Sequence, residues 1–223
     1  MRAELSVIIP TLDAAVALPQ TLGGLMEGLE AGLVRELIIS DGGSGDATRA
    51  MADEVGAVWV SGAPSRGGQL RRGVVASGGA WLLVLHADTV LPERWSGVVE
   101  RQMSRGRPGY FRLGFDAEGL APTLVAGWAN LRSRVFGLPY GDQGLLISRS
   151  EYDAVGGYLD IPLMEDVAMA RALGRRMEEM PLRVRTSATR YARDGWMRRG
   201  GRNLMLLLRY LCGTQPEKLR ARY

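Results

Sequence analysis

The chain has 223 residues, of which 46% are hydrophobic and 23% charged, with a single cysteine and a formal net charge of +4. A chain of this length buries about 70% of its unfolded surface and folds without disulfides or structural zinc, so we expect one domain. The lone cysteine, Cys212, excludes an internal disulfide and predicts a reducing compartment.

The hydropathy pattern excludes two kinds of segment. The N-terminus enters an apolar run within a few residues, without the long apolar region and cleavage site of a secretory signal. The longest uncharged stretches, 73–85 and 119–131, are shorter than the roughly eighteen residues that span a bilayer. We therefore expect neither a secretory signal nor a transmembrane helix.

The first half of the chain alternates short apolar runs with helical segments. The predicted strands and helices are, in order, 5–10, about 18–31, 36–41, about 46–55, 57–61, about 67–77, 81–86 and about 92–105. This alternation predicts right-handed β–α–β units and a parallel sheet. After Pro108 the pattern changes to a strand at 109–115, a helix at 122–136, a glycine- and proline-rich loop at 137–144 and a strand at 145–148. No linker separates the halves, so the second is expected to complete the same domain.

Two predicted strands end in acidic residues. The run 36–40 leads into Asp41, and the run 81–85 leads into His86 and Asp88. Ligands of open α/β sheets bind beyond the carboxyl ends of the strands, so we expect one anionic, metal-seeking pocket there. The glycine loop 42–45 opens a helix with Asp46 as its expected N-cap, and is either an anion cradle or a tight connection.

Single residues of these motifs leave alternatives open. Asp88 is either a ligand of Mg²⁺ or Mn²⁺, which need only one or two protein carboxylates, or a cap, like Thr89, of the helix near Pro92. His86 is a core imidazole, a ribose or phosphate hydrogen-bonding group, or a metal ligand. Glu165 and Asp166 begin a helix, either as favourable charges at its N-terminus or with one of them as a general base.

The C-terminal segment is strongly basic. Residues 183–223 carry a net charge of +9, which leaves −5 for the first 182 residues. The stretch 196–211 mixes apolar and arginine positions in the manner of a helix at a membrane interface. The alternative is a final helix that packs its leucines on the core, namely Leu204, Leu207, Leu208 and Leu211.

Taken together, these motifs resemble the family 2 glycosyltransferases of the GT-A fold. The residues that carry the resemblance are the strand end 7–13, the loop 41–46, the His-Ala-Asp at 86–88, Asp142 with Gln143, and Glu165 with Asp166. They are most similar to a small bacterial subgroup with His-Ala-Asp in place of Asp-X-Asp. The resemblance implies a single Rossmann-like α/β domain with a mostly parallel central sheet flanked by helices. Within it, 1–107 would be the nucleotide-binding half, 108–182 the acceptor and catalytic half, and 183–223 a basic helical segment.

The resemblance also implies roles for particular residues. A nucleotide-sugar donor, usually a UDP-sugar, would contact Pro10, Thr11, Asp13, Asp41, Gly43, Arg66, Gln69, His86 and Ala87. Asp88 matches the ligand of a divalent metal, Mn²⁺ or Mg²⁺, and Asp166 matches the catalytic base. Asp142, Gln143 and Glu165 are the candidates for the acceptor site. Asp13 stands where the family commonly has Glu, and His86 where it has Asp, so nucleotide preference and metal dependence stay open.

The predicted activity is metal-assisted transfer of a sugar to an unidentified hydroxyl acceptor with inversion. We expect a lipid-linked acceptor, peripheral membrane contact through residues 195–212 and a cytoplasmic location at the inner face of the membrane. We expect no nucleic-acid partner. A nucleotidyltransferase is disfavoured because the loop 11–15 is poor in glycine and basic residues. A non-catalytic nucleotide-sugar-binding or membrane-peripheral partner protein stays open because His86 replaces an aspartate.

Overall fold

The computed structural model describes residues 3–220 as one α/β domain. The strands are β1 (Leu5–Thr11), β2 (Val34–Asp41), β3 (Val58–Ser61), β4 (Trp81–Val84), β5 (Thr89–Val90), β6 (Gly109–Phe115), β7 (Leu145–Ser148) and β8 (Glu178–Thr186). The α-helices are α1 (Leu18–Glu30), α2 (Thr48–Glu54), α3 (Arg66–Ala76), α4 (Trp95–Ser104), α5 (Leu120–Phe136), α6 (Arg149–Ala154), α7 (Glu165–Leu173), α8 (Thr189–Asp194), α9 (Trp196–Leu211) and α10 (Pro216–Arg220).

The eight strands within residues 3–220 form one sheet in the order β3-β2-β1-β4-β7-β6-β8-β5. The four strands β1 to β4 are parallel, as predicted from the β–α–β rhythm. Strand β7 then joins β4 in antiparallel register, and β6 pairs parallel with β8. The predicted fold class, a mostly parallel sheet flanked by helices in a single domain, is confirmed.

The centre of the sheet is buried on both faces. Every residue of β1 is buried, and its alternate side chains enter two different clusters: Val7 and Ile9 pack with Trp95, whereas Ile8 packs with Leu70. Burial on both faces explains why this strand is a continuous apolar run rather than an alternating one. The ends of β1 and β4 are therefore held rigidly where the pocket begins.

Several helix and strand starts differ from the prediction. Helix α2 begins at Thr48 with Ala47 as its N-cap, although the Asp46 carboxylate still accepts a hydrogen bond from the Thr48 N–H at 2.9 Å. Strand β4 ends at Val84, so His86 lies in the turn beyond the strand. Strand β8 was not predicted: Met180, Leu182 and Val184 alternate as in a half-buried strand, but Pro181 lies inside the run.

Helix α4 begins at Trp95 and not near Pro92, and neither Asp88 nor Thr89 caps it. Its first N–H groups are capped from α1, since the Glu27 carboxylate accepts hydrogen bonds from the N–H groups of Arg94 at 2.6 Å and Ser96 at 2.9 Å. The capping alternative for Asp88 is therefore wrong.

Helix α9 packs against α5 and places Leu206 and Leu207 in a small cluster with Val167 of α7. The predicted packing is correct for Leu207 only, because Leu204, Leu208 and Leu211 are exposed. Arg199 is buried, and its guanidinium donates to the Asp194 carboxylate at 2.7 Å. None of the helices within residues 3–220 combines the length and the apolar character that crossing a bilayer requires.

Candidate active site

A pocket of about 460 Å³ opens at the carboxyl ends of β1 and β4. Its walls come from the turns after β1 and β4, the start of α3, the ends of β6 and β8, the loop 140–142, the segment leading into α7, and helices α8 to α10. All but three of the predicted site residues line it, namely Pro10, Thr11, Asp13, Arg66, Gln69, His86, Ala87, Asp88, Asp142, Glu165 and Asp166. The three outside the lining are Asp41, Gly43 and Gln143.

Asp41 lies behind the wall of the pocket, buried at the end of β2. Its carboxylate accepts hydrogen bonds from the Thr11 hydroxyl at 2.8 Å, the Gly43 N–H at 2.6 Å and the Ser44 N–H at 2.7 Å. The Ser44 hydroxyl donates to the same carboxylate. Burial raises the pKa of Asp41, but the hydrogen bonds, of which that from the Ser44 hydroxyl has the largest effect, outweigh burial and hold the pKa below its ordinary value. Asp41 therefore does not share the pocket lining with Asp88 and Asp166, and its predicted contact with the nucleotide stays a prediction.

The glycine loop has no N–H group to offer an anion. Its four N–H groups donate within the protein: Gly42 to the Thr11 carbonyl, Gly43 and Ser44 to Asp41, and Gly45 to Asp13. Of the two interpretations of residues 42–45, the structure supports the tight connection. It joins the loop after β2 to the loop after β1, where Asp13 adopts a positive φ of 49°.

The turn after β4 carries His86, Ala87 and Asp88 into the pocket. Two bonds fix it: the Thr21 hydroxyl donates to the Ala87 carbonyl at 2.8 Å, and the Thr89 N–H donates to the His86 carbonyl at 3.1 Å. Gly141 faces the His86 ring so closely that a side chain at 141 would collide with Nε2. Asp88 is thus presented by a pinned turn at the edge of the sheet.

Arg66, at the first position of α3, links the two halves of the site. Its guanidinium lies 2.6 Å from His86 Nε2 and 3.2 Å from the Glu165 carboxylate. Helix α3 reaches this place because Gly67 and Gly68 have no side chains, which lets the segment 159–161 pack directly on the helix. Arg71 of the same helix does not line the pocket.

His86 is held neutral. Burial lowers its pKa well below the ordinary value, and the nearby positive charges of Arg66 and Arg190 lower it further. A neutral ring accepts the hydrogen bond from Arg66 at Nε2. Of the three interpretations of His86, a purely apolar core position is excluded, because the ring lines the pocket.

Two carboxyl groups of the second half are buried without enough hydrogen bonds. Asp142 Oδ1 and Glu165 Oε2 are buried and have no hydrogen-bond partner among the described residues. Burial raises the pKa of Asp142 to about 6, and the charges of Asp166 and Asp88 raise it as well, against the opposing effect of Arg132. Burial, together with the Asp166 charge, also raises the pKa of Glu165. Asp88, Asp142, Glu165 and Asp166 therefore form one electrostatically connected group.

Asp166 is oriented by main-chain donors. Its carboxylate accepts the Gly141 N–H at 2.8 Å and its neighbour Val167 N–H at 2.7 Å. Met164, which precedes the acidic pair Glu165 and Asp166, has a positive φ of 68°, which turns the chain sharply into α7 and places the pair at the pocket. A carboxylate fixed in this way at a pocket wall can remove a proton from a bound hydroxyl group.

Gln143 has a structural position instead. Its side chain is fully buried, accepts from the Ser133 hydroxyl at 2.7 Å and donates to the Phe111 carbonyl at 3.1 Å. It ties α5 and β6 to the short 3₁₀ helix Gly141–Gln143. Its predicted contact with an acceptor has no support from this position.

The C-terminal helices supply a wall that the motifs did not indicate. Arg190 and Tyr191 of α8, Asn203 of α9 and Arg220 of α10 line the pocket. The only signal for them in the sequence is the density of arginine after residue 182. Density alone does not distinguish an arginine that faces a pocket from one that faces solvent.

Solved structures share this fold. A mannosyltransferase from Pyrobaculum calidifontis, in complex with GDP-Man and Mn²⁺, matches 97% of this chain and 67% of its own with a TM-score of 0.68 and 13% identity. TarS from S. aureus matches 92% of this chain and 64% of its own, with a TM-score of 0.61 and 12% identity. Glucosyl-3-phosphoglycerate synthase from Mycobacterium tuberculosis, in complex with Mn²⁺ and UDP, matches 82% and 70%, with a TM-score of 0.58 and 19% identity.

These likenesses define the class: an α/β protein with the fold of the GT-A glycosyltransferases. The match spans 56% to 70% of the lengths of the first four structures, so the chain is shorter than they are. A search of curated proteins found no match. The model of glycosyl transferase family 2 matches residues 6–124, more than half of the chain, and the chain belongs to that family.

Proposed function

We propose that this protein transfers a sugar from a nucleotide-diphospho-sugar, with UDP as the nucleotide, to a hydroxyl acceptor with inversion. The observation that carries the proposal is that Asp88 and Asp166, 78 positions apart in the chain, line one pocket. A single base and a stabilised leaving group suffice for inversion, whereas a retaining glycosidase needs a second carboxylate as nucleophile.

Asp166 is the proposed base. It removes the proton of the acceptor hydroxyl as that oxygen attacks the anomeric carbon, and the bond to the diphosphate breaks on the opposite side. The Gly141 and Val167 N–H groups keep its carboxylate in place during the transfer. Arg66 offers a positive charge to the departing diphosphate at the pocket wall.

A divalent cation, Mn²⁺ or Mg²⁺, is proposed at Asp88. Within residues 3–220 no three His, Cys, Asp or Glu side chains form a group that could hold a metal by themselves. The donor set nevertheless fits a cation that takes one or two protein carboxylates and completes its shell with phosphate oxygens and water. Asp142 is the candidate for a second ligand, because its Oδ1 is buried without a partner among the described residues and its carboxyl group interacts electrostatically with Asp88. When bound, the cation neutralises charge on the departing diphosphate.

The preferred nucleotide and the subgroup rest on the motifs. The similar solved structures were obtained with UDP or with GDP-Man, so they favour a nucleotide-sugar without selecting its base. UDP, and membership of the subgroup with His-Ala-Asp at 86–88, are proposed from the resemblance of the sequence. A location at the inner face of the membrane, contact through residues 195–212 and a lipid-linked acceptor are proposed from the charge of the C-terminal segment.

A protein that binds the donor without turnover is the less favoured alternative. Buried carboxyl oxygens without partners cost stability, and they are typical of sites that perform chemistry. A protein that had lost its activity would gain stability by replacing Asp142 and Glu165.

Calorimetry and donor hydrolysis test the proposal. We expect UDP to bind in the presence of Mn²⁺ and at least one UDP-sugar to be hydrolysed slowly. Asp88→Asn should weaken Mn²⁺-dependent UDP binding and abolish hydrolysis, whereas Asp53→Asn, an exposed residue of α2 that pairs with Arg49, should change neither. Mn²⁺-dependent UDP binding that survives in Asp88→Asn would contradict the assignment of the metal ligand.

A further inference from the structure

Helix α5 presents an unusual apolar face to solvent. Leu120, Leu124, Trp128, Leu131 and Val135 follow one another at intervals of three or four residues, which places them on one side of the helix. Their side chains are between 46% and 84% exposed. A surface helix normally turns such a stripe toward the core, so this face lacks the partner that its composition requires.

Helix α9 carries a second exposed stripe. Met197, Leu204, Leu208 and Leu211 lie at intervals of seven, four and three residues, again on one side, and all are exposed. The opposite side is buried and includes Arg199 and Leu206, which line the pocket. One helix therefore separates the pocket from an apolar surface.

The two stripes lie next to each other. Helices α5 and α9 pack together, and Gly200 faces Val125, since a Cβ at Gly200 would lie 3.9 Å from Val125 Cγ2. Trp128 is three residues after Val125, and Leu204 is four residues after Gly200, so each flanks the contact on its own helix. We name the exposed surface of these two stripes the α5–α9 face.

Every charged residue of helices α5 and α9 is an arginine. Neither helix contains an aspartate or glutamate, and α9 adds Arg198 and Arg209 beside its stripe. Leucines beside a tryptophan, with arginines at the edge, are the composition of helices that lie in the interface of an anionic bilayer. A second copy of the chain docked symmetrically would instead bring two basic segments together, which disfavours it.

We propose that the α5–α9 face docks on an anionic lipid bilayer, with α5 supplying as much of the apolar contact as α9. This docking extends the membrane contact proposed above for residues 195–212 to helix α5. The docking itself does not depend on the proposed sugar transfer, and only its consequence for the acceptor rests on that proposal. Because α9 lines the pocket and would also contact the bilayer, the acceptor would be taken from the lipid surface rather than from solution.

Vesicle sedimentation of the full chain tests the docking. Vesicles with about one-third phosphatidylglycerol should bind the protein, and pure phosphatidylcholine vesicles should bind it at least about tenfold less tightly. Leu124→Ser/Leu131→Ser on α5 and Leu204→Ser/Leu208→Ser on α9 should each lower the partition coefficient about tenfold or more. The control is Val75→Ser, which replaces an exposed apolar residue of α3 and should change nothing.

Fluorescence supplies an independent readout. Brominated lipids should quench Trp128, and the quenching should disappear in Trp128→Phe. Equal binding by the α5 double variant and the wild type, or binding to neither kind of vesicle, would overturn the proposal. So would a stable dimer in lipid-free solution that Leu124→Ser/Leu131→Ser dissociates, because the face would then belong to a second copy. Absence of donor hydrolysis in every variant would contradict the proposed transfer but leave the vesicle result intact.

Discussion

Carboxyl groups of the two halves of the molecule that are at least partly buried differ in their hydrogen bonding. In the first half, Glu36 accepts hydrogen bonds from the Ser6 hydroxyl and the Gly78 N–H, both at 2.6 Å, and Asp41 accepts from three residues. In the second half, Asp142 and Glu165 each keep an oxygen that is buried without a partner among the described residues. Hydrogen bonds outweigh burial and lower the pKa values of the first pair, whereas burial raises those of the second.

This difference separates scaffold from site. A satisfied carboxylate stabilises the fold and rigidifies the loops it joins, as Asp41 does for the ends of β1 and β2. An unsatisfied one costs stability and is retained where an incoming group can complete its hydrogen bonds. Single substitutions at these carboxyl groups test the difference.

The largest effect is expected from Asp166→Asn. An amide cannot take the proton of the attacking hydroxyl, so turnover should fall by about 10²- to 10⁴-fold. Binding of UDP, measured by calorimetry, should stay within a factor of about two, because Asp166 is proposed to act on the acceptor. Donor hydrolysis measures the rate, with Asp53→Asn as control. A variant that hydrolyses the donor at the rate of the wild type would remove Asp166 from the role of base.

Asp41→Ala should have the next largest effect, on stability. The substitution leaves the Thr11 and Ser44 hydroxyls and two N–H groups without their acceptor, so we expect a loss of about 2–4 kcal/mol in the free energy of unfolding. Urea denaturation measures it. A loss below about 0.5 kcal/mol would show that Asp41 is not a structural anchor.

Asp142→Asn should stabilise the protein at high pH. The folded-state pKa of Asp142, about 6, lies above the ordinary 3.8, so the folded protein holds the proton more tightly. Its contribution to stability is complete below 3.8 and is lost as the pH rises through about 6. We expect the Asn variant to be about 1–2 kcal/mol more stable than the wild type at pH 8, and the difference to vanish near pH 4. Urea denaturation at both pH values tests the sign, and equal stability at pH 8 would contradict it.

Glu36→Gln should have the smallest effect and the opposite pH dependence. The folded-state pKa of Glu36 is lowered, so its contribution is present above its ordinary value of 4.5 and is lost as the pH falls through the folded-state value. We expect the Gln variant to lose about 1 kcal/mol at pH 7 and to approach the wild type in acid. If the variant is less stable than the wild type by the same amount at every pH, the loss of stability comes from packing and not from the charge of Glu36.

The first half was predictable because its structure is local. Each buried strand is a continuous apolar run, each helix begins within a few residues of its sequence signal, and right-handed crossovers leave only a few arrangements for four parallel strands. Strand β8 was missed because its partners β6 and β5 are distant in the chain and Pro181 interrupts its alternating run.

The parallel half of the sheet, the turn that carries Asp88 and the helix that begins with Glu165 and Asp166 could all be predicted from the sequence. Hydrophobic periodicity and the residues that begin and end helices and strands are signals that act over a few residues. Only the tertiary structure decided that Asp41 faces Thr11 rather than the pocket, that Gln143 is buried, that Arg66 bridges His86 and Glu165, and that α5 turns its leucines outward. Those outcomes depend on which elements pack together, and packing joins residues whose separation in the chain carries no signal.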